Sequence, residues 1–431
     1  MENYIVVFWF RRDLRLNDNH GLYKALKSGL PVLPIFIYDK NIIDGLPAND
    51  KRVQFISNAL NKIRNKFKFH NKDMAIYYDI PENVFQNITN DYKIRAVYTN
   101  HDYEPDAIKR DQRIKENLTA KNIAFHSFKD QAIFEKDEIL TAAGKPYNVF
   151  TPYARQWRSK ISAKIIAPYP SETLIEKITK PDLSEMPKLE TFHLEQNKTL
   201  TDSPEIDDDL IKSYDKTRNN PSINTTRLGV HLRFGTISIR HLVQKALDLN
   251  ETWLSELIWR DFFMMILFNY PHVVEKPFRE KYAVIPWLED REAFQKWCEG
   301  KTGYPMVDAG MRELNETGFM HNRVRMVTAS FLCKHLLINW QKGEEYFALK
   351  LLDFELSSNN GNWQWAAGCG CDAAPYFRVF NPITQQQKFD GDFIYIKKWI
   401  PEFGTSKYPE PIIEHKFARE RAIDVYKKAL A

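Results

Sequence analysis

Apolar residues fall along this chain in two rhythms. Over the first 130 residues, short unbroken apolar runs alternate with amphipathic stretches. YIVVFWF (4–10), LPVLPIFIYD (30–39), MAIYYD (74–79), RAVYTN (95–100) and IAFHSF (123–128) have too few polar positions for a solvated face, as in strands covered on both sides of a parallel sheet. Between them the spacing turns helical, most clearly over 51–70 and 104–121. Such alternation predicts a doubly wound α/β sheet, which binds ligands beyond the carboxyl ends of its strands. No G-x-G-x-x-G follows the first run and no Walker loop occurs, so the common backbone cradle for a dinucleotide is missing from this half.

The pattern loosens over 131–204, where prolines recur at 146, 152, 168, 170, 181, 187 and 204. This reads as a long surface connection with one short helix near 151–163. From 205 the rhythm is helical, with windows at 234–249, 251–269, 305–317, 321–339, 343–353 and 411–429. The expected organisation is α/β plus all-α: a doubly wound domain (1–130), a connector (131–204) and a helical domain (205–431). At 431 residues the chain exceeds the length at which one core stops growing.

Composition changes the picture in three places. Hydrophobic content of 43% and charged content of 27% are those of a soluble globular protein. The amino-terminal apolar run precedes its arginines, the reverse of a secretory signal, and the longest strongly apolar stretch, Phe262 to Phe268, is too short to span a bilayer. With only four cysteines, these features predict a cytosolic protein with no membrane partner. A net charge of +5 permits a polyanionic ligand without requiring one. Cys369 and Cys371 form a C-x-C pair, Cys298 and Cys333 stand alone, and no histidine lies between 336 and 414, so no metal site is expected.

Eight of the ten tryptophans lie after residue 250. Large aromatics ordinarily fill a helical core. In TWLSELIWRDFF (252–263), however, Glu256, Trp259 and Arg260 stand at i, i+3 and i+4 and share one helix face. A carboxylate, an indole and a guanidinium are poor core material and good material for a pocket that stacks on and hydrogen-bonds a base. In HNRVRMVTASFL (321–332), Asn322 and Met326 are i, i+4 neighbours beside Arg323 and Arg325. The asparagine amide can read a base edge and an arginine can grip a phosphate; a capping asparagine with solvated arginines fits this segment equally well. In NNGNWQWAAGCGCDAAPYFRVFNP (359–382), Trp363 and Trp365 face opposite ways if helical, two residues turning about 200°, and the same way if on a strand. Asn359, read as an N-cap, favours the helix.

FWFRRDLRLNDNHGL (8–22), GKPYNVFTPYARQW (144–157), ELIWRDFF (256–263), KTGYPMVDAGMREL (301–314), HNRVRMVTASFL (321–332), NNGNWQWAAGCGCDAAPYFRVFNP (359–382) and PIIEHKFARERA (411–422), in this order, resemble the signatures of the photolyase/cryptochrome family. Within it the chain looks like the class I cyclobutane pyrimidine dimer photolyases. The resemblance implies FAD in the helical domain, active when reduced, and DNA containing a cyclobutane pyrimidine dimer as substrate, the damaged bases being flipped into a pocket. It implies a cradle for FAD of Tyr214, Thr225, Thr226, Arg227, Leu228, Gly229, Trp253, Arg260, Asn322, Arg325, Asp353, Glu355 and Asn359. Arg325 and Asp353 would pair beside the flavin. Gly229 stands where a serine is common, and Glu355 where some relatives have aspartate. Glu256 and Asn322 would bond the dimer, Trp259 and Trp365 would wall it, Met326 would fill the floor, and Arg218, Arg323, Arg378 and Gln385 would hold the DNA backbone. Trp363, Trp340 and Trp287 match the family's redox relay from flavin to surface.

A second antenna chromophore, folate or deazaflavin, is possible by the same resemblance. His101, Asp102, Tyr103 and Glu104 lie where folate-binding members place contacts, while Val274–Glu275 lacks the cysteine–lysine pair some of them add. A monomer without an obligate protein partner is implied. The alternatives are a cryptochrome photoreceptor, a (6-4) photolyase and a flavin-free DNA-binding protein of the same fold. Asn359 stands where plant cryptochromes carry an acid and animal ones a cysteine, and Met326 where (6-4) photolyases place a histidine.

Overall fold

The computed structural model describes residues 4–48, 50–181, 187–192 and 204–431. The chain forms two compact units, Met1–Glu135 with Lys160–Glu205 and Leu228–Asp248, and Lys136–Ser159 with Ile206–Arg227 and Leu249–Ala431.

All five apolar runs of the first unit form strands: β1 (Ile5–Phe10), β2 (Val32–Asp39), β3 (Ala75–Asp79), β4 (Ile94–Asn100) and β5 (Ala124–Phe128). They make one parallel sheet in the order β3-β2-β1-β4-β5, with Val7 beside Leu33 on one side and Val97 on the other. Val6, Phe8 and Phe10 enter one core and Val7 and Trp9 the other, which is why the run shows no alternation. Helices α1 (His20–Leu26), α2 (Lys51–Phe69), α3 (Pro81–Asp91) and α4 (Pro105–Ala120) make the crossovers. Asn19 and Asp50 cap α1 and α2, and proline opens α3 and α4. The strand order reverses between β1 and β4, so the ligand crevice of this fold lies beyond Phe10 and Asn100.

The 131–204 stretch differs from its expected form as a surface connection. Its helix, α5 (Phe150–Lys160), buries Tyr153, Ala154 and Trp157, and the Trp157 indole donates to Asp261 at 3.0 Å. Residues before Ser159 group with the second unit and those after it with the first. Positions 182–186 and 193–203 of the expected connector lie outside the described residues. The expected 234–249 helix is two helices of the first unit, α6 (Gly229–Phe234) and α7 (Ile239–Leu249). Gly235 separates them in a left-handed turn (φ +63°), where a Cβ would lie 2.1 Å from the Arg12 carbonyl oxygen.

The second unit is helical: α8 (Glu251–Asn269), α9 (Pro305–Thr317), α10 (Asn322–Ser330), α11 (Trp340–Lys350), α12 (Leu356–Ala367), α13 (Pro382–Phe389) and α14 (His415–Ala429). Asn250 caps α8, which buries every residue from Arg260 to Leu267. The expected 321–339 helix stops at Ser330 and continues as one wide π turn, Phe331–His335. The expected 343–353 helix begins earlier, at Trp340, because Asn339 accepts from the Gln341 N–H. The expected 411–429 helix begins only at His415, where Glu414 accepts from the N–H groups of Lys416 and Phe417. Among the described residues no helix is long and apolar enough to cross a membrane, and no group of three or more His, Cys, Asp or Glu side chains is placed to hold a metal. Cys298, Cys333, Cys369 and Cys371 are free thiols.

Candidate functional site

The second unit gathers most of the expected site residues on α8, α10 and α12. On α8, Glu256, Trp259 and Arg260 share the face the spacing implied, and each meets a different neighbour. Glu256 accepts from Arg218 at 2.9 Å and from the Tyr214 hydroxyl. Burial raises the pKa of its carboxyl against both contacts. Arg260 is buried against Glu355, its Nε 3.3 Å from Oε2 and its Nη2 donating to Oε1 at 3.4 Å. Trp259 is half-buried and stacks on Phe150, centroids 3.6 Å apart with planes within 4°. Trp253, one turn earlier, is buried. Phe150 was invisible as a site residue: the local text, VFTPY, says only that an aromatic precedes a helix start.

On α10, His321 is the cap: its Nδ1 accepts from the Arg323 N–H at 3.1 Å, which leaves the ring proton on Nε2. Burial and then Arg325, Arg323 and Arg227 hold its pKa down to about 4, so the ring is neutral. Asn322 is exposed and Met326 half-buried. Arg323 donates to Asn219 at 2.6 Å and lies over the Phe389 ring at 4.4 Å. Arg325 and Asp353 form the expected ion pair, Nη2 to Oδ2 at 2.9 Å. Arg378 is exposed, and the buried Gln385 Oε1 has no partner.

The helix through Trp363 and Trp365 is α12, and the Asn359 cap is corrected. Glu355 occupies the cap position without a side-chain cap bond. Asn359 lies inside the first turn, its N–H bonded to the Glu355 carbonyl and its side chain donating to the Glu344 carbonyl at 3.1 Å. The two indoles still diverge. Trp363 is 2% exposed, edge-on to Trp297 at 6.1 Å and to Phe347 at 4.9 Å. Trp365 is half-buried near Phe380. Trp340 is 3% exposed in the same core, and Trp287 packs half-buried at its margin, edge-on to Tyr426 at 5.9 Å. The three therefore run from interior to margin.

Buried Glu344 sits beside this core. Desolvation pushes its pKa up to about 7, against a 3.4 Å bond from Asn360. The folded value lies above the ordinary 4.5, so the folded state holds the proton more tightly. Its contribution is full below pH 4.5 and is lost as pH rises through about 7. Glu344→Gln is expected to flatten the fall in stability between pH 5 and 8 by about 1–3 kcal/mol relative to the parent. Chemical denaturation at the two pH values reads this, and parallel curves for both proteins would refute it.

The residues fit a large polar cofactor on one observation. Asp353 Oδ1 and Ser357 Oγ are buried without a hydrogen-bond partner, so an acceptor and a hydroxyl stand ready beside the Arg325–Asp353 and Arg260–Glu355 pairs. Of the expected diphosphate stretch, Thr225, Thr226 and Arg227 belong to the second unit, with Arg227 in a left-handed conformation (φ +48°). Leu228 and Gly229 belong to the first unit, where α6 starts with no side-chain cap.

In the first unit the crevice residues are bound to one another. Arg11 grips Asp111 at 2.6 and 2.7 Å, and Arg12 reaches Asp102 at 3.1 Å and Glu104 at 3.0 Å. His101 and Tyr103 both bond Glu135, at 2.8 and 2.6 Å. Burial would raise the pKa of Asp102, but Arg12, Arg11 and Arg110 outweigh it and hold the carboxyl well below its usual range.

With this geometry in hand, comparison with known proteins gives one answer. Residues 6–172 match the DNA photolyase family, and residues 253–406 match the FAD binding domain of DNA photolyase. The chain is 32% identical to a deoxyribodipyrimidine photo-lyase of Synechococcus sp. across 99% of its own length and 97% of the relative's. A bacterial class III photolyase structure from Agrobacterium tumefaciens superposes with a TM-score of 0.88 at 31% identity, covering 100% of this chain and 98% of that one. An archaeal photolyase from Sulfolobus tokodaii, solved with two FAD molecules, gives 0.80 at 32%, covering 98% and 99%. The chain belongs to the photolyase/cryptochrome family.

Proposed function

We propose that this protein is a light-dependent DNA repair enzyme, a deoxyribodipyrimidine photo-lyase acting on cyclobutane pyrimidine dimers. Reduced FAD, when bound, supplies under blue or near-ultraviolet light the single electron that splits the dimer, and takes it back afterwards. The residues Tyr214, Thr225–Arg227, Trp253, Arg260, Arg325, Asp353, Glu355 and Asn359 hold that cofactor. In this reading the second unit is the catalytic domain and the first an antenna-type domain. A second pigment in the first unit would have to displace the pairs that tie up His101 to Glu104. The enzyme works as a monomer in the cytoplasm.

The observation that carries the reading is the exposed side of α8. Glu256 presents a carboxyl whose proton affinity burial has raised, one turn from an indole held flat by Phe150. A protonated carboxyl can donate to a base carbonyl, and an ionised one can accept from a base N–H. Trp259 and Trp365 supply aromatic walls for bases out of the stack. Arg218, already 2.9 Å from Glu256, holds that carboxyl oriented and positions the DNA backbone.

Purified protein should show a flavin absorbance spectrum. After chemical reduction and illumination it should restore intact thymines in a dimer-containing oligonucleotide. Bound reduced flavin with no thymine recovery would reject the repair assignment and leave the photoreceptor alternative. Trp365→Ala is expected to weaken binding of that oligonucleotide by about 1–3 kcal/mol, roughly 5- to 150-fold. Undamaged duplex should be affected little, so an equal loss for both DNAs would remove Trp365 from the dimer pocket.

A further inference from the structure

We propose that the second unit carries a phosphoryl-binding subsite in the recess bounded by His321, Arg227 and Lys398. The recess has a volume of ≈ 50 Å³, enough for one small tetrahedral group and far too little for a base or a flavin ring. Thr225 and Asn224 add polar groups to its wall.

Three features define the ligand. His321 is 3% exposed and its Nδ1 is committed to capping α10, so Nε2 carries the proton; that nitrogen is buried and has no partner. A donor placed so asks for an acceptor from outside the chain. The Arg227 guanidinium packs over the Phe319 ring at 4.4 Å and makes no ion pair among the described residues. It is carried on a left-handed backbone, a conformation retained where surroundings or function demand it. Lys398 lies over the Trp399 ring at 5.0 Å and likewise has no acidic partner among the described residues. Two cations and an N–H donor around so small a volume suit a group that only accepts, with oxygens in several directions. The one acid in the wall, Glu313, already accepts from the Tyr395 hydroxyl at 2.7 Å, and burial raises its pKa. The phosphoryl group belongs either to the diphosphate of a flavin dinucleotide or to a DNA backbone phosphate. That choice of source rests on the proposed function; the subsite itself does not.

The test uses the full chain with inorganic pyrophosphate as probe, by calorimetry and phosphorus NMR. His321→Asn keeps a side-chain acceptor for the cap and removes the ring donor; Lys398→Gln changes an exposed side chain and carries no folding risk. Each is expected to weaken pyrophosphate binding about tenfold. Faster flavin release with an unchanged salt dependence of DNA binding assigns the cofactor diphosphate. A slope of log affinity against log salt reduced by about one, with flavin retention unchanged, assigns a DNA phosphate. Parental pyrophosphate affinity, flavin retention and salt slope in both variants, or in Lys398→Gln alone if His321→Asn misfolds, would overturn the subsite. A wild-type protein that binds pyrophosphate through Lys398 but repairs nothing would reject the repair function and keep the subsite.

Discussion

Trp340→Phe is expected to stop light-driven reduction of oxidised flavin, lowering its rate about tenfold or more, while enzyme reduced beforehand repairs dimers at the parental rate. The argument is positional. Trp340 opens α11, and Gly343, one turn on, is where the Trp363 ring lies against that helix. Trp363 and Trp340 are 2% and 3% exposed, and Trp287 is half-buried. Indole gives up an electron far more readily than benzene, so phenylalanine at the middle position breaks an inward-to-outward row while keeping most of the packing. Repair by pre-reduced enzyme makes no use of that row. Flavin bleaching under steady illumination measures the first quantity, and thymine recovery after chemical reduction the second. Equal loss of both would show that Trp340 matters to the fold and carries no relay. A substantial residual photoreduction would point to Trp297, a second buried indole edge-on to Trp363 at 6.1 Å.

What the sequence could and could not say follows from where the information sits. β1 to β5 were legible because each is buried on both faces, so its composition declares it without reference to partners. The shared face of Glu256, Trp259 and Arg260 was legible because helical spacing is local. The partners were not. Arg218 reaches Glu256, Phe150 stacks on Trp259 and Glu355 holds Arg260 across 38, 109 and 95 positions, and no local rule links such pairs. Asn359 failed as a cap because its amide serves an interhelical bond to Glu344 instead. The break at Gly235 is fixed by the close approach of Arg12, a tertiary fact that overrides a good helical pattern. Roles in chemistry came from resemblance to a family: spacing placed side chains on a face but named no ligand.

Two glycines separate the proposed dimer pocket from the proposed relay. On α12, a Cβ at Gly361 would lie 2.2 Å from Phe263 Cδ1, and Phe263 lies partly stacked beside Trp259, centroids 5.4 Å apart. On α11, a Cβ at Gly343 would lie 2.2 Å from Trp363 Cη2 and 2.5 Å from Leu332 Cδ2. Neither glycine has a positive φ, so alanine gains up to about 1 kcal/mol in helix propensity. Overpacking a close-packed core costs about 1–3 kcal/mol, and a 2.2 Å contact with a ring hemmed in by other rings belongs at the upper end. Both variants are therefore expected to be less stable than the parent by about 1–2 kcal/mol, read as a lower denaturation midpoint. Their functional losses should diverge. Gly361→Ala moves Phe263 and with it the plane of Trp259, so affinity for dimer-containing DNA falls while flavin photoreduction survives. Gly343→Ala tilts Trp363, so photoreduction falls while pre-reduced enzyme keeps its affinity for the dimer. If both variants lost the two properties in the same ratio, the two indole clusters would be one structural unit, and their separate assignment to substrate and relay would have to be given up.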